Sequence, residues 1–378
     1  MILATSPRLR LRLTPWPNLS PRRRAVLLGW LALIVVLYMA IGAWGSGVIR
    51  SERLAADASH AIRLTPGLVE HGQTPPDPIP ESGDFTPVTV GLYLDGIEAV
   101  SVRDSFWSPT FYIWFRWTGD RDLAPGANFR VIDARTDRKE LVEEFHGPDN
   151  SHYQRWRVTA RVTKFFNTTR VPLDGHMLNI YVEDGRLDAS RLRYVADPAT
   201  NLSSRARISG YDILGGAQVV KTHTYRTTYG DPRAEAGRWR TFSMFTYGVT
   251  IQRAGMGVYI KIFLGLFAGM ALALTSFALR ASDAGPRFSM LAGAYFGAVA
   301  NSYLAGSLIP SSGQFGLVEY VTFLGMFTIF FSLIATIVSI YIWNILADKE
   351  YSRAFDRVTV LATATGYVVV NLVLPLSA

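Results

Sequence analysis

No cysteine occurs in the chain. Any part of it outside a membrane therefore stands on its own core, and disulfide-closed loops and thiolate metal sites are excluded. Histidine is sparse: six residues, at 60, 71, 146, 152, 176 and 223, with no HExxH or other paired metal spacing. A P-loop, a GxGxxG turn and a GxSxG elbow are also missing. Nothing announces a phosphate cradle, a dinucleotide fold or a hydrolase, so an enzyme is not expected, and neither is a cofactor or metal. The acids Asp120 and Asp122, and the pair Glu183-Asp184, fall between strand-like runs. Such pairs are usually solvated loop acids and less often a weak calcium site. Lysine is scarce beside arginine and alanine is plentiful, a usage that fits a GC-rich bacterial genome.

Long apolar runs are present instead. Five stretches approach the ~20 apolar residues a membrane helix needs: 25–44, 258–279, 288–309, 315–347 and 358–376. The third is the least greasy, mixing Gly, Ala, Ser, Asn and Tyr with apolar residues, which suits a helix facing protein or water. The net charge of +8 belongs to this pattern. Arginines 8, 10, 12, 22, 23 and 24 precede the first run, whereas 46–255 is almost balanced. The basicity is a topology signal, not a nucleic-acid face. Counting positive charges places 8–24, 280–287 and 348–357 on the cytoplasmic side, and 46–255, 310–314 and the C-terminus outside. The first run also has a signal-peptide reading. Its apolar core exceeds the usual ~7–15 residues, and Ala43-Trp44-Gly45 is a poor cleavage site, which favours an uncleaved anchor.

Between the first two runs the pattern changes twice. Residues 46–85 carry prolines 66, 75, 76, 78 and 80 and little apolar content, and read as a linker. From Pro87 onward, short alternating segments follow at 88–94, 97–102, 110–117, 153–166, 177–182, 192–196, 206–213, 219–228 and 238–252, separated by Gly, Asp, Asn and Pro. They predict an antiparallel β-sandwich with no helix inside it. The expected domains are a basic cytoplasmic tail (1–24), an N-terminal transmembrane helix (25–45), a Pro-rich linker (46–85), an extracellular β-sandwich (86–254) and a four-helix transmembrane bundle (255–378). In class this is a β + α membrane protein.

Four places resemble the prokaryotic pentameric ligand-gated ion channels of the Cys-loop receptor superfamily, over roughly residues 86–378. Thr110-Phe-Tyr-Ile-Trp-Phe-Arg-Trp117, after Val90-Gly-Leu-Tyr-Leu-Asp-Gly-Ile97, resembles the family's first strand pair. Val171-Pro172-Leu173-Asp174, followed by His176–Glu183, resembles its Pro-containing loop and next strand. Ile251-Gln252-Arg253 and then Tyr259–Phe263 resemble the end of the sandwich and the start of the first channel helix. Arg287 lies 23 residues before Pro310, a fit to the pore helix and its outer proline. The additional N-terminal helix, the missing proline in the first channel helix (Gly265 stands near its place) and the missing acidic ring before the pore helix depart from the family pattern.

The resemblance implies a homopentamer in a bacterial inner membrane with the β domain in the periplasm. It would pass inorganic ions and be gated by a small-molecule or proton agonist. Helical spacing from Arg287 nominates Ser289, Gly293, Phe296, Ala300, Tyr303 and Ser307 as pore-lining, with Phe296 as the gate. The alternative for that helix is close packing through small residues. Arg287 itself reads either as a charge at the inner mouth, leaning toward anions, or as an interfacial anchor. Pro172, Asp174 and Arg253 are nominated for coupling, together with 95–102 and 310–314. Tyr194, Tyr225, Tyr229 and Trp239 are nominated for an agonist site that would hold a cationic amine by cation–π attraction. Ordinary half-buried strand tyrosines are the plainer reading. A non-conducting receptor or accessory subunit is the alternative function.

Overall fold

The computed structural model describes residues 19–70, 74–79, 84–228, 230, 239–307 and 315–378. It opens with a single helix, α1 (Pro21–Leu64). The apolar segment 25–44 is only its first part, and beyond it the helix continues through Arg50, Glu52, Arg53 and Asp57. The expected linker 46–85 is therefore helical as far as Leu64. The first proline of that stretch, Pro66, supplies the stop, because proline lacks an N–H and pushes the preceding residue out of the helical region. The described residues form two compact units. One takes in the described residues up to Gly47, Lys261–Ala305 and Glu319–Ser377; the other takes in the described residues of Val48–Ile260 and Gly306–Val318, and Ala378.

The second unit is a mixed β-sheet domain. Its strands are β1 (Thr86–Ser101), β2 (Phe106–Thr118), β3 (Phe129–Val131), β4 (Ala134–His146), β5 (Ser151–Thr163), β6 (Gly175–Asp184), β7 (Leu192–Ala196), β8 (Asn201–Leu202), β9 (Tyr211–Tyr225) and β10 (Arg240–Arg253). A 3-10 turn (Arg121–Leu123) and the one-turn helix α2 (Pro125–Asn128) interrupt the series, against the expectation of no helix. One sheet has the order β4-β5-β2-β1-β7, with β8 also on β1; the other has the order β3-β6-β10-β9. β1 runs parallel to β7 and β8, so the arrangement is not purely antiparallel. Residue alternation reports which way side chains face and carries nothing about the direction of the neighbour. The segments expected at 88–94 and 97–102 are one strand with irregularities at Leu94/Gly96 and Ile97/Ala99. β4 was not expected, since its sequence ARTDRKELVEEFH is mostly exposed along an edge and shows no buried period.

Alternation does identify the core. Val88, Val90, Leu92 and Leu94 of β1, Phe111, Ile113 and Phe115 of β2, Leu178, Ile180 and Val182 of β6, and Phe245, Tyr247, Val249 and Ile251 of β10 join one buried apolar cluster. At ~1.5–3 kcal/mol for each large side chain taken from water, such a cluster replaces the missing disulfides. The alternate residues of β6 and β10, among them Tyr181, Glu183, Met244 and Thr246, belong to the opposite face of the second sheet.

The helical unit contains the first part of α1 together with α3 (Met256–Thr275), α4 (Ala284–Ser307), α5 (Leu317–Asn344) and α6 (Lys349–Ser377). Among the described residues, four helices are long and apolar enough to cross a membrane: Pro21–Leu64, Met256–Ala278, Leu317–Asn344 and Lys349–Ser377. The expected span at 288–309 forms as α4 but is not among them, because its Gly, Ser, Asn and Tyr residues lower its hydropathy; residues 308 and 309 lie outside the described residues. Residues 349–357, expected in a loop, are the first turns of α6.

The first part of α1 is packed into this unit. Trp30 Nε1 donates to Thr359 Oγ1 at 2.9 Å, and its ring stacks on Phe331 at 5.1 Å. Tyr38 and Thr328 share a hydroxyl hydrogen bond of 2.6 Å. Gly366 admits the Tyr38 ring, since a Cβ there would come within 2.6 Å of it. Arg23 pairs with Asp348.

Candidate functional site

Helix α4 has two distinct faces. Its buried residues are Arg287, Leu291, Ala294, Ala298, Asn301 and Ala305. The nominated stripe Ser289, Gly293, Phe296, Ala300, Tyr303 and Ser307 is exposed throughout. Each stripe residue stands two positions after a buried one, a turn of about 200° that places it on the opposite side. Phe296 is 71% and Tyr303 84% exposed. Four of the six are Gly, Ala or Ser, whereas the exposed face of α5 presents Phe323, Phe330, Ile334 and Ile337.

Arg287 sets this orientation. Its side chain is fully buried. Nη2 donates to Asp356 Oδ2 at 2.6 Å and to the Leu279 carbonyl at 2.5 Å. Nη1 donates to Asp356 Oδ1 at 3.4 Å and to Ser339 Oγ at 3.5 Å, while Nε reaches the Leu279 carbonyl at 3.2 Å. Arg287 is thus neither a displayed charge nor an interfacial anchor. Asp356, which sequence reasoning missed, neutralises it. A legible signal existed: Ser352, Asp356, Thr359 and Thr363 repeat at helical spacing on the buried side of α6.

A second ion pair is built by sheet register in the β domain. Gly175 pairs with Gln252, and Tyr211 pairs with Arg253 across β9 and β10. Continuing the β6–β10 register by one residue sets Asp174 opposite Arg253, and the Arg253 N–H donates to the Asp174 carbonyl at 3.0 Å. Arg253 Nε and Nη2 donate to the two Asp174 carboxylate oxygens at 2.7 and 3.2 Å. Arg253 also donates to the Tyr211 hydroxyl at 2.7 Å, which in turn donates to Asp174 at 3.3 Å. His176 Nε2 donates to Asp174 Oδ2 at 2.6 Å. Burial pushes the Asp174 carboxyl up, but the His176 and Arg253 hydrogen bonds and the Arg253 charge outweigh it and hold it well below the usual carboxylate range. Burial lowers the His176 pKa, and the Asp174 hydrogen bond and charge oppose it only in part. The expected pair Asp174–Arg253 is brought together within the β domain, and Pro172 is buried in the turn leading to it. His176 and Tyr211 were missed as members. The spacing Asp-x-His was a weak signal for the first, and there was none for the second.

The nominated aromatics are not assembled into one cage. Tyr194 is buried in the core beside Phe115, at 6.0 Å between centroids. Trp239 is half-buried ahead of β10, and Tyr229 lies outside the described residues. Tyr225 meets Phe242 edge-on at 5.6 Å, and the guanidinium of Arg130 stands 5.4 Å from the first ring and 5.5 Å from the second. The place for a cation between these rings is taken by the chain's own arginine.

Glu183 accepts from Arg130 at 3.3 Å and from the Tyr225 hydroxyl at 2.9 Å. Glu183 and Asp184 are buried strand-end residues, not solvated loop acids. Asp184 caps the following turn by accepting from the Arg186 and Leu187 N–H groups at 2.7 Å each. Asp120 is an exposed turn acid whose carboxylate accepts from the Asp122 N–H at 2.9 Å. Among the described residues no group of three or more His, Cys, Asp or Glu is placed to hold a metal ion. The chain matches no protein-family model and no curated protein.

Three outcomes follow from the two ion pairs. Asp174→Asn removes the charge that Arg253 was desolvated to meet, and lowers the stability of the β domain by ~3–5 kcal/mol, measured by chemical denaturation. His176 has a folded pKa below its unfolded value of ~6.5, so the unfolded state binds the extra proton first and stability falls as the pH drops below ~6.5. In His176→Gln the slope between pH 7 and 5 flattens. Asp356→Leu alone costs about 3–5 kcal/mol, whereas the double variant Arg287→Met/Asp356→Leu recovers most of it, as monodisperse yield and thermal unfolding in detergent report.

Proposed function

We propose that the chain is the subunit of a pentameric ligand-gated ion channel, with an N-terminal helix added to the four of the pore domain. The observation that carries the reading is α4. One of its faces is buried by its own chain, and the opposite face, small and hydroxylated except for two rings, is left uncovered. Such a face suits water or like helices better than lipid. Five copies turned inward would line an axial pore with Ser289, Gly293, Phe296, Ala300, Tyr303 and Ser307. A ring of five Phe296 side chains would stop ions by dewetting.

In this reading the two sheets form a periplasmic sandwich. Arginines 8, 10, 12, 22, 23 and 24, which precede the first apolar run, stay on the cytoplasmic side of a bacterial inner membrane. The hydrogen bonds of Trp30 and Tyr38 favour a retained helix over a cleaved signal peptide. The Asp174–Arg253 pair stands where β10 leads into α3, which suits a coupling role. Because Asp356 neutralises Arg287, that arginine supplies no selectivity for anions. The agonist, proton or small molecule, acts at the β domain. No enzymatic chemistry is assigned.

Reconstitution into liposomes with ion-flux recording tests this. The expected result is flux that responds to pH or to small ligands, and that Phe296→Ala raises severalfold. Background flux from both proteins overturns the channel reading. If the same samples show five-fold particles, the non-conducting receptor or accessory subunit takes its place.

A further inference from the structure

The outward face of the second sheet is roofed by the chain itself. Residues 63–70 and 74–79 pass over β6, β9 and β10 and enclose a cavity of about 810 Å³. Strand β9 holds the roof. Lys221 Nζ donates to the carbonyls of Ile62 and Leu68 at 2.6 and 2.9 Å. Arg226 donates to Asp77 at 2.9 Å and to the Pro75 carbonyl at 3.2 Å. Thr224 Oγ1 accepts from the Asp77 N–H at 2.8 Å. Arg63, at the end of α1, is paired with Glu70.

The floor differs in kind. Glu183 is 0% and Thr246 1% exposed, and both line the cavity. Glu183 Oε2 is bonded to Arg130 and Tyr225, but among the described residues Oε1 has no hydrogen-bond partner, and neither has Thr246 Oγ1. A buried carboxylate oxygen and a buried hydroxyl left open are costly unless a donor meets them. Lys221, Arg226 and Arg63 are engaged with carbonyls and acids of the roof, and Arg193, which also lines the space, donates Nε to the Ala189 carbonyl at 2.9 Å, so the open carboxylate oxygen of the floor favours a cation. Register pairs Glu183 with Met244 and Tyr181 with Thr246, which makes Glu183 and Thr246 diagonal neighbours on one face. Diagonal positions lie ~7–8 Å apart along the backbone, near enough for the longer Glu183 side chain to lean toward Thr246 so that both oxygens can accept from one ammonium group. Ile79, Ile132, Val220 and Met244 also line the space and offer a hydrocarbon wall.

We propose that this cavity is a binding site for a small primary amine with a short hydrocarbon tail, its ammonium donating to Glu183 Oε1 and Thr246 Oγ1 beneath the roof. The site lies within one subunit, between its sheet and its own linker. It selects by N–H donation: the aromatic pair Tyr225 and Phe242 is filled by Arg130, so a quaternary ammonium gains nothing there. The proposal concerns binding alone and holds whether or not the assembly conducts.

The test is isothermal titration of the purified full-length protein in detergent with n-butylamine. Tetramethylammonium, n-butanol and butyrate serve as controls. Saturable binding of butylamine is expected, with at least tenfold weaker binding of each control. Glu183→Gln weakens butylamine at least about tenfold and Thr246→Val about three- to tenfold, the losses set by a charged and a neutral hydrogen bond. Thr246→Val is nearly isosteric and decides the matter if Glu183→Gln fails to fold. The site is overturned if butylamine shows no saturable binding, if tetramethylammonium binds as well, or if Thr246→Val leaves the affinity unchanged.

Discussion

A guanidinium taken out of water has to be met by a carboxylate, and each unit of this chain is organised around one such meeting. Desolvation costs several kcal/mol per ion and is recovered only when the donors find well-placed acceptors. Arg253 meets Asp174 in the β domain, and Arg287 meets Asp356 among the helices. In the first case the acceptor set is completed by the Tyr211 hydroxyl, in the second by the Leu279 carbonyl. These pairs are positional constraints more than sources of net stability. The first ties the start of β6 to the end of β10, three residues before α3 begins. The second turns α4 so that its small and polar side is left uncovered.

That rotation links packing to the functional reading. Gly269 brings α3 against the α4 backbone, since a Cβ at this position would lie 3.0 Å from the Ala294 carbonyl oxygen. With Arg287 anchored and Ala294 in contact, little rotational freedom remains. The stripe of Ser289, Phe296 and Tyr303 is exposed because the opposite side is pinned. The β domain follows the same logic on its outward face, where Arg130, Tyr225, Phe242 and Glu183 satisfy one another and leave a single carboxylate oxygen open.

Much of the fold was legible, and the failures have physical causes. The strands with one buried face, β1, β2, β6 and β10, announce themselves by alternation because burial imposes it. β4 does not, because an edge strand exposed on both sides has no such constraint. The parallel pairing of β1 with β7 was invisible, since a residue pattern is the same for either neighbour direction. α1 outran its expected end because apolarity marks a membrane span and not the limit of a helix; Pro66 marked that limit and was read instead as part of a linker. In α4 the helical spacing groups the stripe on one face, and that face is exposed in this chain. It left open which residues the remainder of the chain would cover.

By itself, the sequence determined the absence of disulfides, the apolar helices, the inward set of the strands and the two faces of α4, because each follows from composition or local period. The pairing of Asp174 with Arg253 was an expectation of the family resemblance, and the register that sets them opposite one another is tertiary. Only the tertiary structure decided the environment of each charge. Arg287 meets an acid 69 residues away, Glu183 meets a tyrosine 42 residues away, and Arg130 stands over Tyr225, one of the four aromatics nominated for a ligand. The energy of a charge depends on its dielectric surroundings and its partners, and both are assembled from distant parts of the chain.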